Sequence, residues 1–187
     1  GRWSNIIFRH GAKVAEEIKK RWPDVRVGML AYEGYMLLPE FDLPDNLDVM
    51  VCMMWSTTMG KDDDYWHRRN LKLLRNWSGK LGGARSRLYV WNYYCWPAFW
   101  TNAPLFFPHG LQKWLQDTYE ISSGEFINPG GNPPQYEMLM CWLWHRLMWD
   151  RAADVDALIH DHCEKFFGPA AAAMEGLYRT IFDRYEN

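Results

Sequence analysis

Apolar residues recur at helical spacing over residues 3–22. Ile6, Ile7, Val14, Ala15 and Ile18 alternate with Lys13, Glu16, Glu17, Lys19 and Lys20, the pattern of an amphipathic helix. Pro23 and Asp24 end it, and residues 25–33, opening VRVGMLAY, predict a strand. A loop with Pro39, Pro44 and Asn46 leads to residues 47–55 (LDVMVCMMW), apolar on both faces. Strands buried on both sides of a parallel sheet read this way. Residues 63–81 predict a helix carrying Leu71, Leu73, Leu74 and Trp77, closed by Gly82 and Gly83. Asp62, Asp63 and Asp64 suit its amino-terminal cap and dipole.

The stretch at residues 87–100 (RLYVWNYYCWPAFW) begins as a third strand and runs into a turn crowded with rings. Strand alternation puts Leu88, Val90 and Asn92 on one side, and Tyr89, Trp91 and Tyr93 on the other. A helix at residues 105–119 and a weaker strand at 121–128 follow. Beyond the Pro- and Gly-rich loop 129–134, three helices are predicted at residues 135–149, 155–167 and 170–185. Gly168 stops the second of them, and Pro169 opens the turn after it.

Helices and strands alternating in this order imply right-handed crossovers and a parallel sheet. Two α/β architectures compete, an open doubly wound sheet and a (β/α)8 barrel. No strand runs into GxGxxG or GxxxxGK, which weakens the nucleotide-binding versions of the open sheet. A chain that starts on a helix and holds four strands reads as the second half of a TIM-type barrel. A whole barrel takes about 250 residues. Half of one, with outer helices and extra C-terminal helices, suits 187 residues as a single segment.

Composition narrows the partners. A net charge of −2 without any Lys/Arg run gives no nucleic-acid footprint. Twelve Trp and ten Tyr favour stacking on sugar faces, although bulky rings also fill cores. No apolar run approaches the roughly 20 residues of a membrane span. Cys52, Cys95, Cys141 and Cys163 are far apart, without a CxxC pair, and read as buried thiols. On a helix, His160 and Glu164 share a face but supply only two ligands, so no metal site is expected. No cofactor motif is present. The opening on Gly1 rather than Met reads as a segment of a longer polypeptide.

Four stretches together carry a resemblance: LAYEGY at residues 30–35, the Pro39 loop, YVWNYY at 89–94, and the tail WDRAADVDALIHDHCEKFFGPAAAAMEGLY at 149–178. In these the chain resembles the bacterial domain-of-unknown-function family 4838, which overlaps glycoside hydrolase family 163. The resemblance implies a (β/α)8 barrel with endo-β-N-acetylglucosaminidase-like action on glycans, in a bacterial periplasmic or secreted setting. It also implies that the catalytic carboxylates at the fourth barrel strand precede Gly1, so the N-terminal half of the same parent protein is an expected partner. The family often carries an acid where Asn92 stands here, and an amide cannot exchange a proton as a carboxyl group does.

Glycoside hydrolysis canonically uses two carboxyl groups, and barrel active sites form at the carboxyl ends of strands. Glu33, just past Tyr32, and Glu125, within the last strand, are the catalytic candidates. Tyr32, Asn92, Tyr94 and Asn128 are candidates for hydrogen bonds to a carbohydrate ligand, and Trp55 and Trp96 for stacking platforms. Tyr32, Trp55, Asn92 and Asn128 are expected at one end of the sheet. The competing reading is a non-catalytic carbohydrate-binding or scaffold domain. An acyl- or phosphoryl-transfer enzyme on a doubly wound sheet has no GxSxG or phosphate loop behind it.

Overall fold

The computed structural model describes residues 3–53, 64–93, 106–128 and 134–186. In chain order these form α1 (Ser4–Arg21), β1 (Val27–Ala31), a 3-10 turn (Glu33–Tyr35), β2 (Leu47–Met53) and α2 (Asp64–Lys80). A second 3-10 turn (Arg85–Arg87) leads into β3 (Leu88–Asn92), followed by α3 (Pro108–Thr118) and β4 (Glu125–Ile127). The chain then runs through α4 (Pro134–Trp149), α5 (Val155–Phe167), a 3-10 turn (Gly168–Ala170) and α6 (Ala171–Glu186). The strands form one sheet in the order β1-β2-β3-β4, all parallel. This is a mixed α/β fold with flanking helices, and the predicted parallel direction of the four strands holds.

The fourth strand is shorter than its sequence suggests. Ile121 and Ser122 lie in a turn that closes α3, their N–H groups both donating to Thr118 O. The Ser122-Ser123-Gly124 run favours that turn over an extended ladder. The second strand stops at Met53, and Trp55, where it was expected to end, lies outside the described residues.

The chain divides into two compact units. The first holds α1, β1, β2, α2 beyond its first turn, β3 and the start of β4. Its core lies on one face of the sheet. Phe8, Ala12 and Ala15 of α1 are buried there with Leu74 and Trp77 of α2, and with Leu47, Val49, Val51, Leu88 and Val90 of the strands. Gly11 leaves room for the Met29 side chain, because a Cβ built on it would stand 1.8 Å from Met29 Sδ and Met29 would have to shift. Asn46 Nδ2 donates to Ala15 O (2.9 Å), tying the loop before β2 to the helix.

The second unit holds most of α3 together with α4, α5 and α6. Asp154 caps α5, accepting from Ala157 N–H at 3.0 Å, and Gly168 ends it at φ 50°, a conformation glycine adopts without strain. His162 of α5 is buried against the rings of Trp142, Phe166, Phe167 and Tyr178, and its Nε2 has no hydrogen-bond partner. Burial pushes its pKa below the usual 6.5, against the opposing charge of Asp161. The unfolded chain therefore takes up a proton that the folded one refuses as pH falls below 6.5. Stability from this group is complete above that pH and declines below it. Exposed His160 acts in the opposite direction. Its hydrogen bond to Glu175, helped by Glu164, raises its pKa, so its contribution is full below 6.5 and lost as pH rises. Urea midpoints measured from pH 5 to 8 should show His162→Phe flattening the acid side of the profile alone. An unchanged acid limb would mean the imidazole titrates normally in the fold.

Candidate functional site

Parallel strands direct their carboxyl ends to one edge of the sheet, where Tyr32 follows β1 and Asn92 closes β3. Asn128 directly follows β4 in the chain. Trp55, Tyr94 and Trp96 lie outside the described residues. Glu33 is exposed and adopts φ 41°, an uncommon conformation for a side-chain-bearing residue and one that clusters at functional sites. The turn holding it is closed by Tyr35 N–H to Tyr32 O (2.9 Å) and Met36 N–H to Glu33 O (3.2 Å).

Two of the predicted residues meet directly. Asn92 is fully buried, and its Nδ2 donates to Glu125 Oε1 at 3.1 Å. Alternation explains the pairing. In β3, Leu88, Val90 and Asn92 are buried while Tyr89 and Trp91 are half-buried. The Trp91 ring meets that of Phe126 with centroids 4.3 Å apart, so Phe126 takes the open face and Glu125 the helix-covered one. An amide at Asn92 thus orients the neighbouring carboxylate without competing for its proton. Glu33, past β1, stands two strand spacings from β3 and three from β4, about 10 and 14 Å along the sheet.

The face opposite the helices is partly uncovered. Gly28 and Leu30 of β1 are exposed, and Met50 and Tyr89 are half-buried. With Asp48 they line an open concavity of about 290 Å³. A charged network closes its amino-terminal side. The Arg26 guanidinium binds Asp48 through both Nε (2.8 Å) and Nη2, and this bond raises the Arg26 pKa. Arg87 stands 4.0 Å from the same carboxylate, and burial, then Arg26, lowers its pKa. Sequence reading took residues 47–55 as apolar on both faces and passed over Asp48. A carboxylate inside such a run signals a buried partner.

A second pairing was not readable in the sequence. His67 Nε2 lies 2.7 Å from Asp117 Oδ2, and the two are 50 residues apart. Desolvation raises the Asp117 pKa, but hydrogen bonds from Lys113 and His67 outweigh it, and the net shift is downward. Cys52, buried on β2, has its thiol pushed up to about 11 by desolvation, which keeps it protonated and unreactive. Cys163 is likewise buried and free. Among the described residues, no three His, Cys, Asp or Glu side chains are grouped to hold a metal ion. No described helix is long and apolar enough to cross a membrane.

Neither a curated protein nor a solved structure matches the chain. A family model described as a domain of unknown function, DUF4838, matches residues 1–179, nearly the full length and including every candidate site residue. The chain belongs to the DUF4838 family.

Proposed function

We propose that this chain is the second half of a (β/α)8 barrel in a glycan-acting, glycoside-hydrolase-like protein, and that it supplies sugar-binding residues. The observation that carries the reading is the sheet: parallel strands, helices on one face, and a partly uncovered opposite face. In a closed barrel that second face is the interior, filled by layers of side chains that alternate strands contribute. Arg26, Asp48 and Arg87, then Leu30, Met50 and Tyr89, are the side chains this half would place there. The resemblance to glycoside hydrolase family 163 adds the substrate class, N-acetylglucosamine-containing glycans. Tyr32 and Asn128 would hydrogen-bond sugar hydroxyls or an acetamide at the strand ends. Glu33, just past β1, is the carboxylate this half would contribute at the strand ends, whereas Asn92 and Glu125 meet on the helix-covered face, outside the barrel interior.

The non-catalytic alternative has one observation in its favour. An amide occupies the end of β3, where the resemblance often has an acid, and it is fully buried. Turnover of an N-acetylglucosamine-containing oligosaccharide by the natural full-length polypeptide separates the two readings. Under the first, Tyr32→Phe weakens the transition state by about 1–3 kcal/mol, the scale of one lost buried hydrogen bond. Binding without turnover favours the second, and neither binding nor turnover overturns both. Robust turnover by residues 1–187 alone would mean that the acid lies within this chain, with Glu33 the first candidate.

A further inference from the structure

The flank of the first unit beyond β1 carries two unfilled features at different levels. At the level of the sheet, β1 is an edge strand. Val27 N–H donates toward β2, to Asn46 O at 2.8 Å, so the alternation of a parallel ladder turns the N–H and C=O of Gly28 and Leu30 outward. Natural edges are blunted by lysine, proline or a bulge, yet β1 reads VGMLA and has none of these. Leu30 is 39% exposed.

At the level of the helices, α1 shows a second apolar stripe. Trp3 (51% exposed), Ile6 (60%), Ile7 and Val14 (39%) stand in solvent. With successive residues turned by about 100°, they share one arc of the helix, with exposed His10 inside it. That arc points away from α2. Phe8 meets the Trp77 ring of α2 at 5.1 Å, Gly11 sits over Met29 of β1, and Ile7, Val14 and Trp3 follow round the helix on the far side of Gly11. Trp3 reaches the chain just past β1, since a Cβ on Gly34 would lie 3.0 Å from its Cδ1. The stripe therefore overhangs the open edge of β1.

We propose that this flank is an interaction surface for one strand–helix unit of the same full-length polypeptide. Its strand hydrogen-bonds in parallel along Gly28 and Leu30, and its amphipathic helix packs on Trp3, Ile6, Ile7 and Val14. A lone peptide strand would satisfy the edge and leave the stripe wet, whereas a lone helix would do the reverse. The topology favours an occupant from the same polypeptide. A helix running directly into a parallel strand, packed on the same face as its neighbours, is the second part of a right-handed strand–helix–strand crossover. The first strand of such a crossover lies beside the strand the helix enters. A second copy, related by a two-fold axis, would instead set β1 antiparallel to its mate. The inference rests on the half-barrel part of the proposed function and not on glycan chemistry.

Amide hydrogen exchange on the natural full-length polypeptide tests it. Gly28 and Leu30 amides should be protected about 100-fold or more over open-edge amides. Ile6→Glu combined with Val14→Glu should cut that protection at least about tenfold, while Val49 and Val51 of β2 stay protected and report an intact fold. Gly28→Pro is the second variant. It removes an outward N–H, leaves the bonds to β2 in place, and should free the Leu30 amide. Unprotected edge amides in the parent protein would overturn the proposal. So would protection that appears only with concentration-dependent dimerisation in sedimentation, since the cover would then be a second copy. A protein inert toward glycans but with a protected edge would remove the glycan reading and leave this inference standing.

Discussion

Trp77→Ala should destabilise the protein by about 3–5 kcal/mol, the range for deleting a large buried ring. Trp77 is fully buried on α2, its ring meets Phe8 of α1 at 5.1 Å, and its Nε1 donates to Met36 O at 2.9 Å. One side chain thus joins both helices over the sheet to the loop that follows β1. Truncation leaves a cavity and an unpaired carbonyl together. Since domains are stable by only about 5–15 kcal/mol, urea unfolding should show a large drop in midpoint. Trp77→Phe keeps most of the ring and loses the donor, and should cost far less. If Trp77→Ala cost under about 1 kcal/mol, typical of an exposed site, the packing of α1 and α2 described here would be wrong.

Arg87→Met should cost about 3 kcal/mol, through lost hydrogen bonds rather than lost volume. The Arg87 Nη2 donates to Pro44 O (2.5 Å) and Leu47 O (2.8 Å), and its Nη1 to Leu81 O (3.3 Å). The guanidinium therefore pins the entries of β2 and β3 and the end of α2 to one point. Methionine fills much of the same space but satisfies none of these carbonyls, and it leaves Asp48 to Arg26 alone. Arg87→Lys should recover little, because an ammonium lacks the planar fork that reaches two carbonyls at once. The check is the unfolding free energy of the two variants against wild type. Equal stability of Arg87→Lys and wild type would mean that charge alone matters here.

Local chemistry made much of the fold legible. Residues 155–167 read as a helix stopped by Gly168, and α5 has those bounds, with Asp154 as the cap the structure adds. β2 was legible as a two-sided apolar run and is buried along most of its length. The last strand was overextended because Ile121 is a good strand former, while the bond from its N–H to Thr118 O depends on where α3 ends. Among the site candidates, alternation put Asn92 on the side of Leu88 and Val90, as found. That Glu125 would be its partner could not be read, because the two are 33 residues apart and meet only when β4 is laid beside β3.

The sequence by itself determined the kinds and order of elements, their parallel sense and the family, because these rest on periodicity, caps and motifs carried within a few residues. Only the tertiary structure decided which face of the sheet is covered, which charges meet across it, and which flank stays open. Asp48 gained Arg26 and Arg87, and His67 gained Asp117, from positions far along the chain. α1 shows the division most plainly. Its sequence marks Ile6, Ile7 and Val14 as apolar alongside Ala15, but packing against Met29 and Trp77 buries Phe8, Ala12 and Ala15 and leaves those three exposed. A side chain's burial depends on what the fold brings opposite it, and no local pattern encodes that neighbour.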